Sequence, residues 1–147
     1  MDTKFSVAVH ALILISESKK PINSDQMAES IGTNASYVRK ILALLKRAKI
    51  IDGHRGTGGY TLNISSVKLT LLKIYQAVMQ QPRIHILDIH QNSNNQCIVG
   101  KNIKSALTGI FENMEASFTG LLAEKTLEDC IAAVHKEKTL TLSEASL

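Results

Sequence analysis

Asn23-Ser-Asp-Gln-Met-Ala-Glu-Ser-Ile31, Gly32-Thr-Asn34, Ala35-Ser-Tyr-Val-Arg-Lys-Ile-Leu-Ala-Leu-Leu-Lys-Arg-Ala48 and Ile50-Ile-Asp-Gly-His-Arg-Gly-Thr-Gly-Gly-Tyr-Thr-Leu62 follow one another almost without a break. Asn23 can accept a hydrogen bond from a free N–H of a first helical turn, and Gln26 three residues on completes a capping-box pattern. Met27, Ala28 and Ile31 then share an inward face, and Gly32 supplies the backbone freedom of a tight turn. Asn34 caps a second helix, in which Val38, Ile41, Leu42 and Leu45 recur at i, i+3, i+4 and i+7.

Ile50-Ile51 and Tyr60-Thr61-Leu62 have strand propensity and flank a stretch with four glycines, which predicts a hairpin with a flexible tip. Two short helices followed by such a hairpin read as a winged helix-turn-helix, whose second helix enters a DNA major groove while the hairpin reaches the backbone or minor groove beside it. Charge placement agrees with that reading. Arg39, Lys40, Lys46, Arg47, Lys49 and Arg55 stand against Asp52 alone between residues 39 and 55, a local charge of +5 in a chain whose net charge is +4. Positive charge concentrated on one device favours phosphate binding through counterion release.

Upstream, Phe5, Val7, Ala8, Ala11, Leu12 and Ile15 predict a first helix from about Thr3 to Ser16, stopped by Lys19-Lys20-Pro21. Downstream, Leu69 to Val78 reads as a helix capped by Thr70 and ended near Pro82. Ile84 to His90 is apolar at alternating positions, which fits either a short strand or an extended cover. Gln91 to Gln96 is polar throughout and is expected to be a loop. From about Gly100 to Glu124, Ile103, Leu107, Ile110, Phe111, Met114, Phe118, Leu121 and Leu122 predict a long helix with one apolar side. A monomer this small cannot cover such a side, so pairing with a second subunit is the expected route of burial. Thr126 would cap a last helix through Ala133, leaving Lys136 to Leu147 as a frayed tail. The fold class is therefore mainly α with a small β-hairpin wing: a winged helix-turn-helix domain over residues 1–80, then a connecting loop and dimerisation helices over 81–147.

No apolar run approaches the roughly 20 residues that span a bilayer, and Phe5 to Ile15 has no signal-peptide cleavage site after it. The expected location is the cytoplasm, with no membrane partner. Cys97 and Cys130 are too few and too far apart for a disulfide framework or a zinc site, and read as reduced thiols. His10, His54, His85, His90 and His135 are scattered, so no metal site is expected. Catalysis is not expected either. There is no paired carboxylate, Ser-His-Asp pattern or phosphate loop, and the glycines of 56–59 do not sit between a strand and a helix.

Five stretches, in order, resemble the Rrf-two family of bacterial winged-helix transcription regulators over nearly the whole chain. They are Phe5 to Leu14, Met27-Ala28 with Tyr37-Val-Arg-Lys-Ile-Leu42, Arg55-Gly-Thr-Gly-Gly-Tyr60, Leu69-Thr-Leu-Leu-Lys-Ile-Tyr75, and Cys97-Ile-Val-Gly100. The resemblance implies a homodimer whose long C-terminal helices pair and whose two recognition helices enter successive major grooves, on half-sites about one turn, roughly 34 Å, apart. It places Ser36, Tyr37, Arg39 and Lys40 on the leading turn of the recognition helix and Arg55 at the wing arginine, in a wing one glycine shorter than the commonest family form. With Asn34, Lys46 and His54 these form the expected DNA-binding set. Cluster-bearing relatives hold iron and sulfur with three cysteines in the loop before the long helix. Here Cys97 is the one cysteine of that loop, and Gly100 stands where such relatives can offer a histidine, so no iron–sulfur cofactor is expected.

Cys97 is still chemically interesting at the mouth of the long helix, where the helix N-terminus and Lys101 favour a thiolate that can be oxidised. The plain alternative is a small packed residue, which is also the expectation for Cys130. The sequence thus reads as a sequence-specific, homodimeric DNA-binding repressor of transcription, with thiol-based redox sensing through Cys97. The competing reading is a regulator controlled by a partner protein or a small metabolite.

Overall fold

A computed structural model of the chain describes residues 2–145. Six helices and one hairpin follow in the order α1 (Lys4–Glu17), α2 (Ser24–Ile31), α3 (Ala35–Arg47), β1 (Ile51–Gly53), β2 (Tyr60–Leu62), α4 (Leu71–Met79), α5 (Ile98–Glu124) and α6 (Leu127–Ala145). A turn of 3-10 helix at Gly56–Gly58 tips the hairpin.

Local chemistry sets the boundaries of the first elements. Asn23 Oδ1 accepts from Gln26 N at 2.9 Å while Gln26 Oε1 accepts from Asn23 N at 3.0 Å, so the capping box is closed in both directions. Gly32 ends α2 with φ +81°, and Asn34 Oδ1 accepts from Tyr37 N at 2.8 Å to start α3. Three residues separate the two helices, which fixes them as a tight helix-turn-helix pair. Lys49 takes the left-handed φ of +59° as the chain leaves α3. Strand β1 pairs antiparallel with β2 in the register Ile51 with Leu62, Asp52 with Thr61 and Gly53 with Tyr60.

The core forms where α1, α2, α3 and α4 meet. Leu12, Met27, Val38, Leu45, Ile50, Ile51, Leu69 and Ile74 are fully buried, and so are Ala8 and Ala11 of α1. Each large aliphatic side chain so buried contributes about 1.5–3 kcal/mol relative to exposure. Phe5 and Tyr75 meet edge to face at 5.5 Å, tying α1 to α4.

Leu127 and Ile131 of α6 belong to the same core. The turn between α5 and α6 is held by backbone bonds from Leu71 N to Lys125 O (2.9 Å), from Leu127 N to Leu69 O (2.8 Å) and from Glu128 N to Ser66 O (3.0 Å). These bonds anchor the C-terminal end of α5 beside the start of α4.

Two local expectations, those for residues 136–145 and for Cys130, need correction. Residues 136–145 continue α6 rather than fraying, with Thr139 and Thr141 donating back to His135 O and Glu137 O at 3.0 and 2.9 Å. Of the two readings open for residues 84–90, the structure shows the extended cover and not the strand. They run as an extended strap beside α5, because their backbone donors meet a carboxylate rather than another strand: Glu115 Oε1 accepts from Ile86 N at 2.6 Å and Leu87 N at 2.9 Å. The apolar stripe of α5 lies on one side of the helix and is covered along one edge only. Leu122 is buried and Phe111 half-buried toward the strap and head, whereas Ile110, Met114, Phe118 and Leu121 form an outer row 54%, 55%, 37% and 58% exposed. Finally, Cys130 is half-buried rather than a core residue, and Val134 beside it is exposed.

Candidate nucleic-acid interface

Burial of Val38, Ile41, Leu42 and Leu45 orients α3, leaving Ser36, Arg39, Lys40, Ala43, Lys46 and Arg47 exposed on its other sides. A groove of about 670 Å³ runs between this face, the connection from Pro21 to Ser24, and the wing. Arg39, Lys46, His54 and Arg55 all border it. Arg39 Nη1 donates to Ser24 Oγ at 3.3 Å, which leans the guanidinium across from α3 to the first residue of α2. His54 Nε2 lies 2.9 Å from Thr61 Oγ1, so the ring is fixed across the hairpin rather than left to rotate.

Gly59 closes the back of the groove. Its φ of +63° and ψ of −138° suit glycine alone, and a Cβ there would lie 3.0 Å from Ile22 N and from Pro21 Cβ. The wing therefore sits directly on the α1–α2 connection.

The remaining residues expected at the interface occupy other positions. Ser36 and Lys40 are exposed on α3 but lie outside the groove lining. Asn34 is exposed, with its side-chain oxygen already engaged in capping α3, which leaves its amide N–H₂ for a ligand. Tyr37 is half-buried and packs against the core, so its ring helps to seat the helix. Ser24 and Tyr60 were missed by sequence reasoning. Nothing local marks Ser24, since its role depends on a guanidinium 15 positions along the chain.

Electrostatically the surface is open. Among the described residues the ion pairs are Lys4–Asp2, His85–Asp88, His85–Glu115 and His135–Glu17, so Arg39, Lys40, Lys46, Arg47, Lys49 and Arg55 keep their charges unneutralised. Such a surface can bind a polyanion with release of its counterions.

Cys97 sits outside this groove, as the exposed N-cap of α5. The backbone N–H of Gly100, and then that of Val99, point at its sulfur and lower the thiol pKa below the ordinary cysteine value. Lys101 has no part in that shift. Burial, followed by the charge of Asp129, raises the Cys130 thiol instead.

The model of the family described as "Rrf2: Iron-dependent Transcriptional regulator" matches residues 1–133. YwnA of Bacillus subtilis (strain 168), which carries the name of an HTH-type transcriptional regulator, is 36% identical over 129 residues, covering 88% of this chain and 95% of its own. A crystal structure described as that of a DNA-binding protein is similar with a TM-score of 0.70 and 34% identity, over 87% of this chain and 98% of that one. The structure of CymR, described as the global cysteine regulator of B. subtilis, superposes with a TM-score of 0.67 at 16% identity, over 90% and 95% of the two chains, a likeness of fold alone.

The iron in the family's description does not fit the residues present. Loop 91–97 offers the single thiol Cys97, and the Asn94 carbonyl fills the space where a side chain at position 100 would lie. Among the described residues no three His, Cys, Asp or Glu side chains are placed to hold one metal ion. No helix there is long and apolar enough to cross a membrane. The mainly helical fold, the winged helix-turn-helix surface and the match over nine-tenths of the chain agree: this protein belongs to the Rrf2 family of transcriptional regulators.

Proposed function

We propose that the chain is a homodimeric repressor that occludes promoters by binding a partly palindromic DNA site. The single observation that carries this reading is the exposed, unneutralised row Arg39, Lys46 and Arg55 around one groove. Residues 1–80 are the DNA-binding head and 81–147 the connecting and pairing part. Within the head, Ser36, Arg39 and Lys40 of α3 meet base edges and phosphates. Asn34 and Tyr37 contact the backbone at the start of α3, and Lys46, His54 and Arg55 follow the phosphates into the adjacent minor groove. The outer row of α5, Ile110, Met114, Phe118 and Leu121, supplies the surface on which a second copy pairs. A reducing cytoplasm suits both free thiols.

Selection from a randomised duplex pool, with the mass of the complex measured by light scattering, tests this directly. Enrichment of two inverted half-sites about one helical turn apart, bound by two chains, is expected. A single unsymmetric site bound by one chain refutes the dimeric reading, and no enrichment refutes sequence-specific binding.

Cys97 gives the proposed repressor its signal. Its thiolate attacks a peroxide oxygen, an S–O bond forms as the O–O bond breaks, hydroxide leaves, and the resulting sulfenic acid perturbs the first turn of α5. The lowered thiol pKa and full exposure support this step. Peptide masses after peroxide treatment, read beside affinity for the selected site, decide it: unmodified Cys97 or unchanged affinity sinks the thiol signal. Control by a small metabolite is the second reading, favoured by a cleft between the strap and α5.

A further inference from the structure

Lys19 and Lys20 follow the end of α1, outside the groove beside α3, and both are exposed. They line a second depression of about 310 Å³, together with Tyr60, Thr61 and Leu62 of β2. Pro21, Ile22 and Tyr60 border this depression and the groove alike, so the two adjoin across one ridge. Gly59 holds that ridge close: a Cβ there would lie 3.0 Å from Ile22 N and from Pro21 Cβ, so the wing rests on the connection immediately beside the two lysines.

No aspartate or glutamate lines either depression. Arg39, Lys46 and Arg55 border the first, and Lys19 and Lys20 the second. The carboxylates within one position of a lining residue are Glu17, Asp25 and Asp52, of which Glu17 already meets His135 Nε2 at 2.7 Å. Counting all three at full charge still leaves five cations against three carboxylates. Lys19 and Lys20 enter none of the ion pairs among the described residues.

We propose that Lys19 and Lys20 form a second DNA-backbone contact, on phosphates that lie past the wing. This rests on the DNA-binding function proposed above and extends its surface beyond Arg55. A duplex seated between α3 and the wing continues across the ridge, where the two ammonium groups meet its next phosphates. Lysine is a hydrated point charge on a flexible stem, without the fixed fork of arginine, so the pair neutralises phosphate without reading bases. Its contribution is to affinity and salt dependence, equal for every sequence. A cation just after α1 also suits the helix dipole. That role alone would alter unfolding and leave the salt dependence of DNA binding untouched.

The test compares the parent with the double variant Lys19→Gln, Lys20→Gln on the selected duplex and on a scrambled one of equal length. Fluorescence anisotropy across several salt concentrations should give a slope of log affinity against log salt shallower by about 1.8 per bound chain, two contacts at about 0.9 each. Affinity should fall by the same factor on both duplexes, leaving the preference between them unchanged. Lys19→Arg with Lys20→Arg should restore the parent slope. An unfolding midpoint equal to the parent's confirms that the glutamine variant is folded. The parent's slope in that variant, or a loss confined to the selected duplex, overturns the proposal. A parent that binds both duplexes equally refutes sequence-specific recognition while the lysines are still read on either one, and a parent that binds neither overturns both ideas.

Discussion

Replacing Gly59 by alanine tests how the wing is attached to the head. Two effects act together there. The φ of +63° with ψ of −138° lies near a region essentially confined to glycine, where a side chain costs about 1–3 kcal/mol. The new methyl also meets Ile22 N and Pro21 Cβ at 3.0 Å and Ile22 O at 3.1 Å. Two of those are backbone atoms that cannot rotate aside, and forced overpacking of this kind costs roughly 1–3 kcal/mol. Relaxing one strain relieves part of the other, so the two together should destabilise by about 2–4 kcal/mol. Gly56 is the internal control. It also has a left-handed φ, +67°, but nothing within 4 Å of the position of a Cβ, so Gly56→Ala should cost only about 1–2 kcal/mol. Urea denaturation of both variants measures the difference. The wing could instead detach while the core stays folded, and exchange of the His54 N–H, which donates to Gly59 O at 2.8 Å, reports that route. Detachment in Gly59→Ala should lower His54 protection by roughly 30-fold or more, the equivalent of about 2 kcal/mol. If Gly59→Ala matches Gly56→Ala in both measurements, the wing is not seated on residues 21–22 as described.

Three further outcomes follow from single contacts. Leu127→Ala, a fully buried core position, should lose about 2–5 kcal/mol in urea unfolding, whereas Leu140→Ala, half exposed on α6, should stay within about 0.5 kcal/mol of the parent. His85 has its pKa raised above the ordinary 6.5 by the Asp88 hydrogen bond and then the Glu115 charge. Its contribution is therefore complete below pH 6.5 and disappears as pH rises through the raised value, so the Ile86 and Leu87 amides should lose exchange protection across that window in the parent but not in His85→Gln. The two strap N–H groups, Leu87 first, and then His85 lower Glu115, so its share is lost at the other extreme, as pH falls below 4.5 through its folded value. Iodoacetamide near neutral pH should alkylate Cys97 well before Cys130, since backbone N–H groups stabilise the first thiolate while burial disfavours the second; equal rates would contradict that ordering.

The sequence was most legible where the deciding interaction is short-range. Asn23 with Gln26, Gly32, Asn34 and Thr70 each act within one helical turn, and each does in the structure what its residue type implies. The buried stripe of α3 was equally readable, because one helical period orders all four residues against one core. Longer-range partners left no local trace. Ile84 to His90 alternates as a strand does, yet its partner is a carboxylate 28 and 29 positions away on a helix. Apolar residues of α5 mark a helix without saying which of two surfaces each will meet, so Phe111 and Met114 looked alike although one lines the cleft and the other faces out. Residues 136–145 carry no apolar face that packs, and their helix follows from the propensity of lysine, glutamate, leucine and alanine in continuity with a docked first turn. At the interface, charge density pointed to the surface, but the Arg39–Ser24 bond and the seat of Gly59 needed the fold.

Fluorescence anisotropy of a selected palindromic duplex, titrated at several salt concentrations with the parent protein, Lys40→Ala and Arg55→Ala, tests the central claim most directly. The account predicts a steep linear fall of log affinity with log salt for the parent, and a slope shallower by about 0.9 for each variant, the loss of one phosphate contact. A parent affinity indifferent to salt, or variants with the parent's slope and affinity, would contradict it.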